Sequence, residues 1–201
     1  MSLRYFVHVS SVSNLSDARY CSGMMVDSLG YNLDENSESR ISYKTANEIS
    51  KWVNGVKFVA EFNNSSNEYI NYVLNNSFFD AIEIDFKKSI SDLKFDPQNI
   101  IIKISDPNSI DHKINNYIKS NFPLTQTIIV DNISSSNINK LEALDKRFMI
   151  IVNPFDKLEN VLKILDKYKY GILLKGSNEI RPGFKDYDTI SDILESIEDL
   201  S

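Results

Sequence analysis

Two groups of side chains in this chain have the types and placement for proton transfer. His8 and Ser10 stand two residues apart, so on an extended strand they share one face. A serine hydroxyl holds its proton tightly, and imidazole is the side chain able to activate it near neutral pH. Ser10 is read either as a weak base assisted by His8 or as a polar strand end bonded to its neighbours. His8 is read either as that helper or as a packed, satisfied histidine. The second group comprises Glu61, Glu83, Asp85, Lys103, Asp131 and Lys175, each within or just after a run rich in β-branched or aromatic residues. Glu83 and Asp85 lie on one face of their run. Acids there repel an anionic substrate but suit lysines or a divalent cation. The reading adopted is an internal salt-bridge network at a charged mouth formed by Glu61, Glu83, Asp85 and Lys103. Carboxylates without clear ligand spacing are a weak metal signal, so neither a metal nor an organic cofactor is expected.

The elements that must position these residues alternate along the whole chain. Short apolar runs at 5–9, 28–33, 56–62, 81–85, 100–104, 127–131, 148–152 and 171–174 read as strands. Amphipathic stretches near 15–24, 44–53, 66–76, 88–94, 108–119, 136–145, 156–168 and 186–199 read as helices. Ser16-Asp17, Thr45 and Asp156 fall where helix N-caps are expected. Eight strand-then-helix units without a composition break predict a single (β/α)8 TIM barrel over residues 1–201. No Gly-x-Gly-x-x-Gly follows the first strand, which weighs against an open doubly wound sheet. In such a barrel, chemistry sits at the C-terminal ends of the strands, where most of these ionisable residues fall.

His8-Val-Ser-Ser-Val-Ser-Asn-Leu-Ser-Asp-Ala18 and Pro182-Gly-Phe-Lys-Asp-Tyr-Asp188, with Ser22-Gly23, Asp27 and Gly30-Tyr31 around the second strand, resemble the phosphoribosylanthranilate isomerase family. The resemblance runs in register over essentially the whole chain and is specific at the two ends and the second strand. It implies the (β/α)8 fold and an Amadori rearrangement of an aminoribose phosphate in tryptophan biosynthesis. In that reaction an aspartic acid protonates the ring oxygen and a cysteine removes a neighbouring proton. Asp131 falls at the family's aspartate, and Ser10 falls at its cysteine. His8 replaces a lysine, and Ser11 replaces the glycine after the thiol.

By the same resemblance, Ser37-Glu-Ser-Arg-Ile-Ser42 stands where the family places an arginine for the anthranilate carboxylate, with Arg40 one position beyond it. Arg40 is the candidate there, with a plain surface arginine as the alternative. Glu83-Ile-Asp85-Phe86 replaces Gln-Leu-His-Gly. The family's glycine-rich phosphate loops are largely gone: Pro154-Phe155 stands for a Gly-Gly pair, and proline has no N–H to donate. Lys175, Gly176 and Ser177 form the one loop still able to take an anion. With 6 glycines in 201 residues, against about 7 per cent on average, few phosphate-cradling loops can be built.

Composition narrows the partners. The net charge of −6 has no basic run to follow a phosphate backbone, which argues against nucleic acid. No apolar stretch nears the roughly 18 residues of a membrane span. A single cysteine, Cys21, and an N-terminus without a basic-then-apolar leader point to a cytoplasmic protein, and the family resemblance implies a monomer or a homodimer. Three functions stay open. One is an isomerase-like protein for a small phosphorylated or anionic metabolite, with a degenerate site of Asp131, Ser10 and His8. The others are a non-catalytic binding or regulatory barrel, and a metal-assisted enzyme using Glu61, Glu83 and Asp85.

Overall fold

The computed structural model describes residues 2–75, 77–94, 96, 99–153, 163, 170–176 and 187–199. Eight parallel strands close into a barrel in chain order: β2 (Val7–Ser10), β3 (Ser28–Asn32), β4 (Lys57–Phe62), β5 (Ala81–Asp85), β6 (Ile100–Ile104), β7 (Thr127–Val130), β8 (Met149–Val152) and β9 (Gly171–Lys175). Closure is made by β2 against β9, with Val7 opposite Ile172 and Ser10 opposite Lys175. A two-stranded antiparallel pair, β1 (Ser2–Leu3) with β10 (Glu198–Asp199), ties the two ends of the chain together. The expected (β/α)8 architecture is therefore the one observed. No helix among the described residues is long and apolar enough to cross a membrane.

The β-branched runs form these strands because each has apolar residues to pack outward against the helices. Leu29, Tyr31, Ala60, Phe62, Ile82, Ile84, Ile102, Ile128 and Val130 are fully buried in one continuous core with residues of the surrounding helices. A smaller second core of Ile129, Ile151 and Leu173, with Phe6 and Ile101 against it, comes from alternating positions of the strands. That alternation places it inside the barrel. The interior is thus two-sided. Strands β6 to β9 supply isoleucine and leucine, whereas β2 to β6 supply His8, Ser28, Glu61, Glu83 and Lys103.

Five α-helices are described: α1 (Leu15–Gly23), α2 (Tyr43–Ser50), α3 (Asn67–Leu74), α4 (Ile114–Asn121) and α5 (Asp188–Ser196). The caps differ from expectation. Asn14, not Ser16-Asp17, caps α1 by accepting from the Asp17 amide. Ser42 caps α2, and Thr45 is the residue whose amide it accepts. The helix expected over 88–94 does not form. Asn67 and Asn71 of α3 reach across to the Ser89 and Asp92 carbonyls and the Lys94 amide, so side chains of the previous helix take the bonds that a helix here would make internally. Over 108–119 the chain makes a 3-10 turn, Pro107–Ser109, capped by Asp106, before α4 begins. Over 136–145 it makes a 3-10 helix, Ile138–Ala143. The helix expected over 156–168, its Asp156 cap and the 177–186 segment lie outside the described residues.

Candidate functional site

The polar half of the barrel interior is a connected cluster. Strand β2 brings in His8, which is fully buried. Its Nδ1 lies 2.8 Å from Ser28 Oγ, directly across the β2–β3 pairing. Its Nε2 faces two carboxylates, Glu61 Oε1 at 3.6 Å and Glu83 Oε2 at 3.8 Å. Glu61 and Glu83 are themselves paired across β4 and β5, so the register sets them side by side. Both are buried, at 4% and 0% exposure.

Glu61 is held from the end of β2. The Ser11 amide donates to both its oxygens at 3.1 Å, and the Ser11 hydroxyl donates to Oε2 at 3.2 Å. To aim its amide this way Ser11 adopts a left-handed backbone with φ 55°. That conformation suits glycine and costs serine on the order of 1 kcal/mol. Gly30 keeps the space open, since a Cβ there would stand 1.8 Å from Glu61 Oε1.

Lys103 completes the cluster. Its Nζ lies 3.0 Å from Glu83 Oε1 and 3.9 Å from Asp131 Oδ2. Asp131 follows β7 and is about one-third exposed, so the chain of charges runs from the buried interior to the mouth. One lysine serves three carboxylates, Glu83, Glu61 and Asp131. Burial is the largest influence on the Glu83 carboxyl and pushes it up. The Lys103 charge opposes this most strongly, the Glu61 charge adds to the rise, and His8 offsets a part, so that burial prevails. Burial alone would lower Lys103, but Glu83, Glu61 and Asp131 outweigh it and hold the lysine above its ordinary value. The cluster therefore joins a buried carboxyl of raised pKa to a lysine that its carboxylate neighbours favour in the charged form. Such a group, coupled to a mouth carboxylate, has the makings of acid–base chemistry.

The other expected site residues lie apart from this cluster. The Ser10 hydroxyl donates to the Leu174 carbonyl at 3.3 Å, and both imidazole nitrogens of His8 are directed elsewhere. The expected assistance of Ser10 by His8 is thus not formed, because the β2–β3 register gives His8 a partner in Ser28 and alternation turns its ring toward β4 and β5. Asp85 shares a strand face with Glu83 but accepts from the Lys87 amide at 2.8 Å, turning the chain after β5, and it makes no ion pair among the described residues. Lys175 is exposed and likewise unpaired among the described residues, so it does not neutralise the mouth. Gly176 is required by a close approach: its amide donates to the Ser10 carbonyl at 2.7 Å, and a Cβ would meet the Ser11 carbonyl oxygen at 2.9 Å. Ser177 lies outside the described residues. Arg40 is exposed on the loop after β3 and does not turn into the barrel.

Sequence reasoning missed Ser28, Ser11 as the holder of Glu61, Gly30 as its space, and Asp34. Asp34 is buried in the loop after β3 and accepts from the amides of Asn63, Asn64 and Asn36 and from the Ser65 hydroxyl. It pins the β3 and β4 loops together at the mouth. Burial acts to raise its pKa, but these four hydrogen bonds prevail and hold it below the ordinary carboxylate value. The available signal was weak: a lone aspartate after a strand, with Asn63 and Asn64 lying 29 and 30 residues further along the chain.

With this geometry established, the chain can be compared with known proteins. No family model and no curated protein matches it. Among solved structures, it is similar to phosphoribosyl anthranilate isomerase from Thermotoga maritima at 18% identity, covering 96% of this chain and 98% of that one, with a TM-score of 0.72. It is similar to a phosphoribosyl anthranilate isomerase in complex with reduced 1-(o-carboxyphenylamino)-1-deoxyribulose 5-phosphate at 21% identity, covering 95% and 97%, with a TM-score of 0.71. It is also similar to phospho-2-dehydro-3-deoxyheptonate aldolase from Thermotoga maritima at 13% identity, covering 96% and 67%, with a TM-score of 0.65. At these identities the likeness establishes the fold, which hosts both an isomerase and an aldolase.

Proposed function

We propose that the protein is a divergent member of the phosphoribosylanthranilate isomerase family. In this reading it takes a small phosphorylated or anionic metabolite at the C-terminal mouth of the barrel, and the thiol-dependent half of the family reaction is lost. The observation that carries it is Asp131 immediately past β7 with Lys103 3.9 Å away; by the sequence resemblance this residue corresponds to the family's general acid. Asp131 delivers a proton to the substrate, and the lysine stabilises the carboxylate left behind. Ser10, at the thiol position, has its hydroxyl directed to the Leu174 carbonyl and no base within hydrogen-bond reach among the described residues. The proton-abstraction step is therefore slow. Full-length similarity to solved isomerases supports the reading at the level of fold.

A second reading, a binding or regulatory barrel without turnover, is favoured by one observation: Lys103 bridges Glu83 and Asp131, so the Asp131 carboxylate already has an internal partner. One assay separates the two. Phosphoribosylanthranilate is incubated with the purified protein, and conversion is followed by loss of anthranilate-type fluorescence, beside Asp131→Asn and Ser10→Cys variants. The expected outcome is slow turnover in the wild type, a loss of about 100-fold or more in Asp131→Asn, and a gain in Ser10→Cys. Absence of turnover in all three folded proteins overturns the isomerase reading and leaves the binding one.

A further inference from the structure

We propose that His8, Glu61 and Glu83 form a binding site for one divalent ion of the zinc class, His8 ligating through Nε2 and each glutamate through one oxygen. The three residues come from β2, β4 and β5, and their ligand atoms all lie within 4.8 Å of one another. The separations of 3.6 and 3.8 Å from Nε2 to the two carboxylates are too long for hydrogen bonds. They are close to what an ion imposes: two ligand atoms on a tetrahedral ion with bonds of about 2.1 Å stand roughly 3.4 Å apart. His8 Nε2 and Glu83 Oε2 are buried and have no hydrogen-bond partner among the described residues. Both are aimed at the space between the three side chains. In native proteins such atoms are rare and demand a reason.

The surroundings fit ligands more closely than a packed histidine. Ser28 Oγ, 2.8 Å from Nδ1, is placed to accept a proton from Nδ1, the tautomer that leaves the Nε2 lone pair free to coordinate. Ser11 fixes Glu61 through its amide and hydroxyl. Lys103 binds Glu83 through Oε1, the oxygen turned away from His8. Gly30 leaves the room both ligands need, since a Cβ there would also stand 3.0 Å from His8 Cε1. One imidazole and two carboxylates suit Zn²⁺, Co²⁺ or Mn²⁺. Three ligands are too few for Ca²⁺, which takes six to eight oxygens. The site stands independently of whichever reaction the mouth performs.

Tag-free protein stripped with a chelator is titrated with Co²⁺, followed by visible absorption, and with Zn²⁺, followed by thermal unfolding. The expected result is a Co²⁺ band saturating at one equivalent, displaced by Zn²⁺, together with a rise in Tm on Zn²⁺ addition. His8→Gln and Glu83→Gln are expected to weaken binding by more than about 100-fold, beyond what loss of an outer partner costs. A second measurement on the wild type needs no variant to fold: X-ray absorption of the zinc-loaded protein should show imidazole and oxygen scattering without sulfur. Absence of both the band and the Tm rise in wild type overturns the proposal. So does an unchanged band in His8→Gln, or a zinc shell lacking imidazole.

Discussion

Lys103 holds the cluster together at the scale of single residues. It is the one cation within 4 Å of both Glu83 and Asp131 among the described residues. Removing one partner of a buried ion pair leaves an uncompensated charge and costs about 3–5 kcal/mol. Lys103→Met is therefore expected to lower stability by about that much, measured by denaturant unfolding. Much of this loss belongs to the stranded glutamate rather than to the bond itself. Adding Glu83→Gln should accordingly recover a good part of it, and strict additivity in the double-mutant cycle would refute the coupling. The residues of this cluster were legible in the sequence as charged strand positions, but their partners were not. His8 was paired on paper with Ser10 two positions away, whereas its contacts are with Ser28, Glu61 and Glu83, 20 to 75 residues distant.

At the scale of elements, the strands were legible because β-branched runs such as Ile100–Ile104 have no stable alternative to a buried strand once helices flank them. The stretch over 88–94 was not, because its fate is decided by asparagines on α3, a different element. Asp34 acts at this scale too, joining the loops after β3 and β4. Its pKa is lower in the folded chain than its ordinary value of 3.8, so the folded state binds this proton less readily than the unfolded state. Its stabilising contribution is thus fully present above about pH 4, and is lost as pH falls through the depressed folded-state value. Asp34→Asn should lower stability at neutral pH and reduce the steepness of acid unfolding below pH 4. Comparison of Tm against pH for the two proteins checks this. An unchanged acid limb would show that the loop carboxylate is not coupled to folding.

For the whole molecule, the division of the barrel interior into an apolar and a charged half has an energetic consequence. Ile129, Ile151 and Leu173, with Phe6 and Ile101, fill the side that β6 to β9 enclose. The charged half gains little from hydrophobic transfer, so this smaller core carries the interior's share of it. Ile151 is fully buried there. Ile151→Ala should cost about 2–5 kcal/mol by cavity formation and lost transfer energy. Because β8 is paired on both sides within a closed barrel, the loss should move a single transition, read equally by far- and near-ultraviolet circular dichroism. Separation of the two signals would mean that the barrel opens in parts.

The eight alternating strand-and-helix units, and with them the expectation of a parallel barrel, were legible in the sequence alone, since they rest on local periodicity repeated eight times, and local patterning is what a linear chain displays. The charged residues at the mouth were visible for the same reason, as interruptions in apolar strands. What only the tertiary structure decided was which of them meet. The register of β2 on β3 and of β4 on β5 brings His8, Ser28, Glu61 and Glu83 together inside the barrel, while the same closure leaves Lys175 and Arg40 in solvent. Pairing of this kind depends on contacts between distant strands, and one residue of slip would turn each side chain to the opposite face of the sheet.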